Sequence, residues 1–438
     1  MEIEELHAVA ASAPRSFADA AATVRSTTLA NGLQVIVWPD HNIPNVALNN
    51  WVHVGSRNEG HGTTGLAHFF EHMMFNGSSR HPRGEFDRLM EAQGASNNAY
   101  TSQDVTVYQD WFPRSALELV FELESDRLAN LALVPEVVEN ERKVVYSERR
   151  LRIEDSNAAL LEEQVQATAF LAHPYRIPTI GWPSDIQSWT MADLQNFFHS
   201  YYAPNNCTLI LVGAVDAGQV FALAQKYFAA APAGEPPPPV RTREPEQQGE
   251  RRLVLQRPGL NPLVHYAYHA IAASDPLEPA LNILQTILVG GHASRLNRAL
   301  VEEKKLAVAI GGGWSEGFDA NIFVIHATLP EGASVPEFEQ ALDAELAAIV
   351  KHRVTEQELR RAKNMAAADF WRGVSTIDGK ARLLGEYAVM RGDYALLFAA
   401  PEAYERVTRA DVARIARQVF NPDKRTIGVL LPSGGDAQ

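Results

Sequence analysis

The sequence predicts an α+β protein built from two similar domains, each a mainly antiparallel sheet packed with helices. Three observations lead to this prediction: the chain has 438 residues, a proline-rich segment lies just past its middle, and one segment recurs in both halves. A single hydrophobic core rarely serves so long a chain, because domains usually hold about 100–200 residues. Length alone therefore allows two or three domains, and the proline-rich segment and the repeat favour two.

A break in composition separates the two expected domains. Residues 231–250 contain clustered prolines followed by charged and amide side chains, which offer little apolar surface to a core. Proline clusters favour an extended polyproline conformation, which is typical of a linker. We therefore predict a first domain over residues 1–230, a linker over 231–250 and a second domain over 251–438.

A helix followed by a strand recurs in the two halves. Thr190 and Thr408 each open an amphipathic helical pattern that ends at a proline, and a strand-like run follows at residues 208–212 and 426–430. Threonine is a favourable N-cap, and proline cannot continue a helix. Because the copies lie about half a chain apart with the linker between them, the repeat indicates a duplicated domain.

Strand and helix patterns in the first half support the α+β class. Asn31 and Gly32 predict a tight turn that feeds a strand within residues 28–39, and residues 46–54 predict a second strand. Because a short connection joins these two strands, we expect them to pair antiparallel. Helical patterns follow over residues 65–76, 84–93 and 135–153.

Composition and charge exclude several classes of function. Hydrophobic residues make up 46% and charged residues 21% of the chain, as in ordinary globular proteins. The net charge of −14 would repel phosphate backbones, so no nucleic acid is expected as a partner. No apolar run reaches the roughly 18 residues that span a bilayer, so no membrane insertion is expected. Residues 1–26 lack the features of a signal peptide. The expectation is a soluble protein, cytoplasmic as written and periplasmic if a leader has been removed.

Cys207 is the only cysteine of the chain. A single thiol forms neither an internal disulfide nor a cysteine-based zinc site. Its apolar surroundings predict a small buried side chain. Any metal site must therefore use His, Asp or Glu.

A His-x-x-Glu-His motif lies in the helix predicted over residues 65–76. His68 and His72 are four residues apart, so both imidazoles lie on one helix face, and Glu71 lies beside them. The flanking residues are mostly apolar, and charged groups in such surroundings need partners. The pattern predicts a hydrolytic metal site, in which zinc commonly takes three protein ligands and leaves one position for water. Glu71 would take a proton from that water and pass it to a leaving amine.

The third metal ligand is expected from another element. Glu141 and Glu148 lie seven residues and about 10 Å apart on one face of the helix predicted over residues 135–153. Only one of them can bind the ion directly, and spacing alone does not choose between them. His265 and His269 are also four residues apart, but their surroundings predict a strand. Four strand residues span about 13 Å, too far for two ligands of one ion.

The motif and its surroundings resemble the inverzincin peptidases, the family of pitrilysin and the mitochondrial processing peptidase. Segments similar to that family lie at residues 31–35, 54–59, 65–77 and 98–101. The resemblance implies one zinc ion per chain, held by His68, His72 and Glu148. It also implies Glu71 as the general base and Glu141 as a second acid that supports the site. The implied fold is a pair of similar α+β domains that form half of a clamshell around a peptide.

Asn98, Ala99 and Tyr100 match the family's edge strand, to which substrate adds as a further β-strand through main-chain hydrogen bonds. Such binding tolerates many side chains and implies an unfolded peptide as the substrate. Taken alone, Asn97 and Asn98 predict a turn at this point rather than a strand.

The second half departs from the family pattern. Active single-chain or homodimeric members carry an Arg and, seven residues later, a Tyr that bind the substrate carbonyl. The matching positions here are Val301 and Val308, and neither side chain donates a hydrogen bond. Arg295 and Arg298 lie nearby but out of register, and residues 301–313 contain no Tyr. The resemblance therefore implies a homologous partner subunit, in a heterodimer or larger assembly, that supplies both donors.

These observations predict a zinc-dependent endopeptidase subunit that hydrolyses peptides or unfolded segments. The alternative is a non-catalytic assembly or scaffold subunit of a larger complex. Such relatives usually have a degraded metal motif, whereas every motif position is present here. A metal-binding or storage protein would need no Glu71 beside the histidines.

Overall fold

The structure, a computed structural model, describes residues 17–351 and 354–433. Two β-sheets, one of six strands and one of five, are packed with helices. Most neighbouring strands run antiparallel, and each sheet contains one parallel pair. The predicted α+β class with two similar domains is confirmed.

Six strands form the first sheet: β1 Arg25–Thr28, β2 Gln34–Pro39, β3 Asn45–Val52, β4 Ser96–Thr101, β5 Thr106–Pro113 and β6 Cys207–Gly213. Their order across the sheet is β1-β2-β6-β3-β5-β4. The turn predicted at Asn31 and Gly32 is present, and β1 and β2 pair antiparallel across it. β4 lies at one edge of the sheet, next to β5.

The predicted pairing between the strands at residues 28–39 and 46–54 is wrong. β6, from far along the chain, lies between β2 and β3 and pairs parallel with β2 and antiparallel with β3. All seven residues of β6 are buried, so this strand is stabilised most at the sheet centre, where both faces are covered. A local turn signal does not reveal such an insertion. Cys207, the first residue of β6, is buried as predicted.

Five strands form the second sheet: β7 Arg251–Pro258, β8 Leu263–His269, β9 Ala309–Trp314, β10 Ile322–Thr328 and β11 Arg425–Ser433. Their order across the sheet is β7-β11-β8-β10-β9. β11 pairs parallel with β7 and antiparallel with β8. Its placement therefore repeats that of β6 between β2 and β3.

The helices of the described residues fall into two groups. Those before residue 231 are α1 Phe17–Ala20, α2 Leu66–Met73, α3 Glu85–Ala92, α4 Leu117–Asn130, α5 Pro135–Arg149, α6 Asn157–Ala169, α7 Pro183–Ser188, α8 Met191–Tyr201 and α9 Ala217–Phe228. Those after it are α10 Glu278–Val289, α11 Val335–Val350, α12 Glu356–Gly373, α13 Ile377–Gly385, α14 Leu396–Arg406 and α15 Arg409–Val419. Within these residues, no helix is both long and apolar enough to cross a bilayer.

The repeat predicted at Thr190 and Thr408 is present in the structure. Each threonine caps its helix, α8 or α15, in a capping box completed by Asp193 or Asp411. β6 follows α8 and β11 follows α15, so both copies lead into corresponding central strands.

Each half of the chain contributes one helix to the sheet of the other half. α6 packs on β8 and β11 of the second sheet, and α13 packs on β3 and β6 of the first. Leu161 of α6 shares a core cluster with Ala267 and Leu430. A Cβ at Gly385 of α13 would collide with the Trp51 ring of β3, so this close approach requires glycine. The exchange ties the two domains together, and the sequence did not indicate it.

Residues 231–250 contain no helix or strand. Glu244 nevertheless accepts three backbone N–H groups from residues 171–173, and the Gln247 side chain donates to the carbonyl oxygen of Arg425. The segment is thereby attached to both halves. Residues 231–250 remain the proposed boundary between the two domains.

Candidate metal centre

The helix α2 carries the His-x-x-Glu-His motif, as the sequence predicts. His68 and His72 lie one helical turn apart, with ring centroids separated by 4.8 Å. The apolar side chains of α2 are buried: Leu66, Ala67, Phe69, Phe70 and Met73. The core therefore fixes the helix and, with it, the two imidazoles.

Glu148 of α5 completes a three-residue group with the two histidines. Its Oε2 lies 3.3 Å from His72 Nε2 and 3.8 Å from His68 Nε2. Ligands that bind tetrahedral zinc at about 2.0–2.1 Å lie about 3.3 Å from one another, so both distances from Glu148 are close to that spacing, and all three ligand atoms lie within 4.8 Å of one another. Two imidazole nitrogens and one carboxylate oxygen are also the donor set of many catalytic zinc sites. No other group of this kind occurs in the described part of the chain.

Glu141 lies behind the histidine rather than in the ligand group. Its Oε1 is 2.8 Å from His72 Nδ1, and its Oε2 accepts a hydrogen bond of 3.0 Å from Asn76 Nδ2. A carboxylate at Nδ1 fixes the ring orientation and leaves Nε2 for a metal. The two acids therefore differ in position: Glu148 lies near Nε2 of both histidines, and Glu141 lies at Nδ1 of His72.

Replacement of Glu141 by Gln is expected to weaken zinc binding about 10- to 100-fold, because supporting carboxylates contribute that much to metal affinity. Competition with a chromophoric chelator would measure the change. Glu139→Gln is the matched control, since Glu139 lies on the same helix but pairs with Arg142 at the surface. Equal zinc affinity of Glu141→Gln and the unaltered protein would contradict this role.

The electrostatics of the group favour a bound cation. Burial, together with the neighbouring His72, lowers the pKa of His68 to about 4, so this imidazole is neutral at neutral pH. Burial also acts to lower the pKa of His72, but hydrogen bonds to Glu141 and Glu148 outweigh it and raise the pKa to about 9. A metal ion at His72 Nε2 therefore displaces a proton. The same carboxylates that hold this proton, Glu141 and Glu148, would also attract a divalent cation to this position.

Glu71 lies beside the ligand group without belonging to it. Its Oε2 accepts a hydrogen bond of 2.5 Å from the hydroxyl of Thr101, the last residue of β4. Burial raises the pKa of Glu71, although the Thr101 hydrogen bond opposes this. A carboxylate with a raised pKa is suited to accept and return a proton near neutral pH.

Glu59 anchors the N-terminus of α2 and was not assigned this role from the sequence. Its carboxylate is buried and accepts backbone N–H groups of Gly65 and Ala67, each at 2.7 Å. The first N–H groups of a helix have no partner within the helix, and an anion is favourable there. An acid seven residues before the first residue of a helix is the signal that the sequence offered.

β4 brings Asn98, Ala99 and Tyr100 to the edge of the first sheet. These residues pair with β5 as a regular strand. The turn expected from Asn97 and Asn98 alone is therefore wrong, because cross-strand pairing outweighs the local preference. No described strand pairs with the other side of β4, so its outer edge has main-chain groups without a strand partner.

Two clefts border the metal-ligand group. One, of about 450 Å³, is lined in part by His68 and Glu148. The other, of about 350 Å³, is lined in part by Glu71, His72 and Ala99. Solvent-accessible space therefore reaches His68, His72 and Glu148, and it also reaches Glu71 and β4.

The valines that replace the expected Arg and Tyr lie in the second half. Val301 is partly buried in a π-helical turn, Asn297–Glu303, and Val308 is 58% exposed. Arg295 donates two hydrogen bonds to Glu358, and Arg298 pairs with Glu303. Both arginines are thus engaged elsewhere.

His265 and His269 lie on the strand β8, as predicted. The His265 ring faces that of His326 on the neighbouring strand, with centroids 5.7 Å apart. His269 Nε2 lies 2.9 Å from the carbonyl oxygen of Ala169. The two side chains therefore have different neighbours.

Two protein-family models match the chain. The model described as insulinase, peptidase family M16, matches residues 34–181, which include the whole metal-ligand group. The model described as the peptidase M16 inactive domain matches residues 188–366. The second match begins after the candidate site, so its description applies to a segment that lacks the motif.

Similar proteins cover nearly the whole chain. It is 31% identical over 411 residues to the zinc protease PqqE of Helicobacter pylori, across 93% of this chain and 92% of that protein. It is 28% identical over 402 residues to an uncharacterised zinc protease of Mycobacterium leprae, across 91% and 90%. The crystal structure of a protease from Helicobacter pylori matches with a TM-score of 0.90 and 30% identity, across 93% and 99%.

Proposed function

Because the chain belongs to the M16 peptidase family, we propose that it is the zinc-bearing subunit of a metalloendopeptidase that hydrolyses peptides or unfolded segments. The observation that carries this proposal is a three-residue ligand group, His68, His72 and Glu148, with ligand atoms within 4.8 Å of one another. Glu71 lies next to this group, and the free sheet edge at β4 lies next to Glu71.

Zinc would be held by His68, His72 and Glu148, and when bound it acts as a Lewis acid and lowers the pKa of water to about 7. Glu71 accepts a proton from the attacking water. The water oxygen forms the bond to the peptide carbonyl carbon as hydrolysis proceeds. Glu71 then delivers the proton to the amide nitrogen as the carbon–nitrogen bond breaks. Glu141 keeps His72 oriented throughout.

The substrate adds to β4 as an extended strand. Main-chain groups of Asn98, Ala99 and Tyr100 supply the hydrogen bonds, so recognition depends little on side chains. The Tyr100 ring packs edge-on against Trp51 at 6.4 Å, which supports the strand from inside. A peptide must be unfolded to bind in this way.

A homologous partner subunit supplies the hydrogen-bond donors that the second half lacks. Val301 and Val308 stand at the expected Arg and Tyr positions and donate no hydrogen bond. Each missing donor to a developing oxyanion costs about 3 kcal/mol of transition-state stabilisation. A heterodimer or larger assembly restores both donors.

The function is tested with an unfolded peptide and a folded protein of the same sequence. The zinc-loaded chain, mixed with a homologous chain that bears Arg and Tyr, is expected to cleave the first and not the second. A chelator should abolish cleavage, and added zinc should restore it. Cleavage that persists without zinc would contradict the proposal. Absence of cleavage in every mixture would instead favour the non-catalytic assembly subunit.

A further inference from the structure

We propose that Thr101 is a positioning residue that holds the Glu71 carboxylate in the orientation needed for proton transfer. The inference rests on the proposed peptidase function and concerns a residue outside the metal-ligand group. Thr101 Oγ1 donates to Glu71 Oε2 at 2.5 Å. Within the described residues, no other hydrogen bond reaches the Glu71 carboxylate. This single contact therefore fixes one carboxylate oxygen and leaves the other for the proton.

The hydrogen bond from Thr101 matters because the Glu71 side chain has several freely rotating bonds. Ordering such a side chain costs free energy, and a proton acceptor works only within a narrow range of positions. The ligand group lies on α2 and α5, whereas Thr101 lies on β4. The hydroxyl of Thr101 thus links the helix that carries the base to the sheet edge.

Thr101 is itself well fixed. It faces Thr106 across the β4–β5 pair. The turn that follows is held by Asp104, whose carboxylate pairs with Arg57 at 2.8 Å and accepts the backbone N–H of Phe318 at 3.2 Å. Phe318 belongs to the second half of the chain. That half therefore helps to fix the turn after β4 and, with it, the Thr101 hydroxyl.

The position of Thr101 also couples substrate binding to the base. β4 is the strand to which a peptide would add, and Thr101 is its final residue. A peptide paired with β4 would hold this strand in place, and the strand would in turn hold Glu71. Thr101 therefore links peptide binding at β4 to the orientation of Glu71, and it is not one of the three proposed metal ligands.

The test uses the zinc-loaded chain with its partner subunit and compares Thr101→Val with Thr101→Ser. Valine keeps the shape of threonine but loses the donor, so kcat should fall about 10- to 100-fold while KM and zinc content stay unchanged. Serine keeps the hydroxyl and should restore kcat to within about threefold. Thr168→Val is the matched control, because the Thr168 hydroxyl donates to the carbonyl oxygen of Gln164 within its own helix, α6. This control should keep the original kcat.

Crystal structures of the zinc-loaded variants provide a readout independent of activity. The Glu71 carboxylate should be displaced or spread over several conformers in Thr101→Val, and ordered in Thr101→Ser. The proposal would be overturned by unchanged kcat in Thr101→Val or by an unmoved carboxylate in that variant. It would also be overturned if Thr101→Ser or Thr168→Val lost as much kcat as Thr101→Val. If the unaltered chain cleaves no peptide, the proposed function fails, but the position of Glu71 still decides whether Thr101 orients it.

Discussion

Glu71→Gln is expected to lose nearly all peptide hydrolysis while it keeps zinc. Glutamine has almost the same shape as glutamate but cannot accept the proton of the attacking water. General acid–base catalysis typically contributes 10²- to 10⁴-fold, so kcat should fall by about that factor. Zinc should remain, because Glu71 lies outside the ligand group of His68, His72 and Glu148. Steady-state hydrolysis of an unfolded fluorogenic peptide, with zinc content measured on the same sample, checks both parts.

A surface acid provides the control for this experiment. Glu91 lies at the exposed end of the neighbouring helix α3, so Glu91→Gln should hydrolyse the peptide at the original rate. Full turnover by Glu71→Gln would exclude Glu71 as the base. Loss of zinc from Glu71→Gln would show that the carboxylate is itself a ligand.

A homologous chain that bears Arg and Tyr is expected to raise kcat/KM at least about 10²-fold when it is mixed with this chain. One missing donor to the developing oxyanion costs about 3 kcal/mol, which corresponds to roughly that factor. Val301 and Val308 supply neither donor. Titration of the partner into a fixed concentration of the zinc-loaded chain would measure the increase and its stoichiometry.

The increase in kcat/KM should depend on the Arg and Tyr side chains of the added chain. A partner variant with Phe in place of its Tyr should bind this chain but stimulate it far less. High turnover by this chain alone, unchanged when the partner is added, would contradict the need for a second subunit.

The residues of the metal-ligand group could be predicted to different extents. His68 and His72 were predictable because helix periodicity places residues four apart on one face. The choice between Glu141 and Glu148 was not predictable from spacing, because both lie on the same face of α5. It depends on how α5 packs against α2, which brings Glu148 Oε2 to 3.3 Å from His72 Nε2.

The contacts missed by the sequence are those made between distant segments. The repeated helix and strand were predictable because each copy has its own local signals, such as the Thr190 cap. The insertion of β6 between β2 and β3 and the exchange of α6 and α13 depend on long-range packing. The contact of Thr101 with Glu71 also depends on how the sheet edge packs against α2. Glu59 differs, because it accepts the N–H group of Gly65 only six residues away, and a local signal was present.

The zinc content of the purified chain tests the central claim most directly. The ligand group predicts close to one zinc ion per chain in the unaltered protein and in Glu71→Gln. His72→Ala and Glu148→Ala each remove one of three ligands and should bind almost none, although both should remain folded by circular dichroism. Full zinc in His72→Ala, or no zinc in the unaltered protein after dialysis against the metal, would contradict the account.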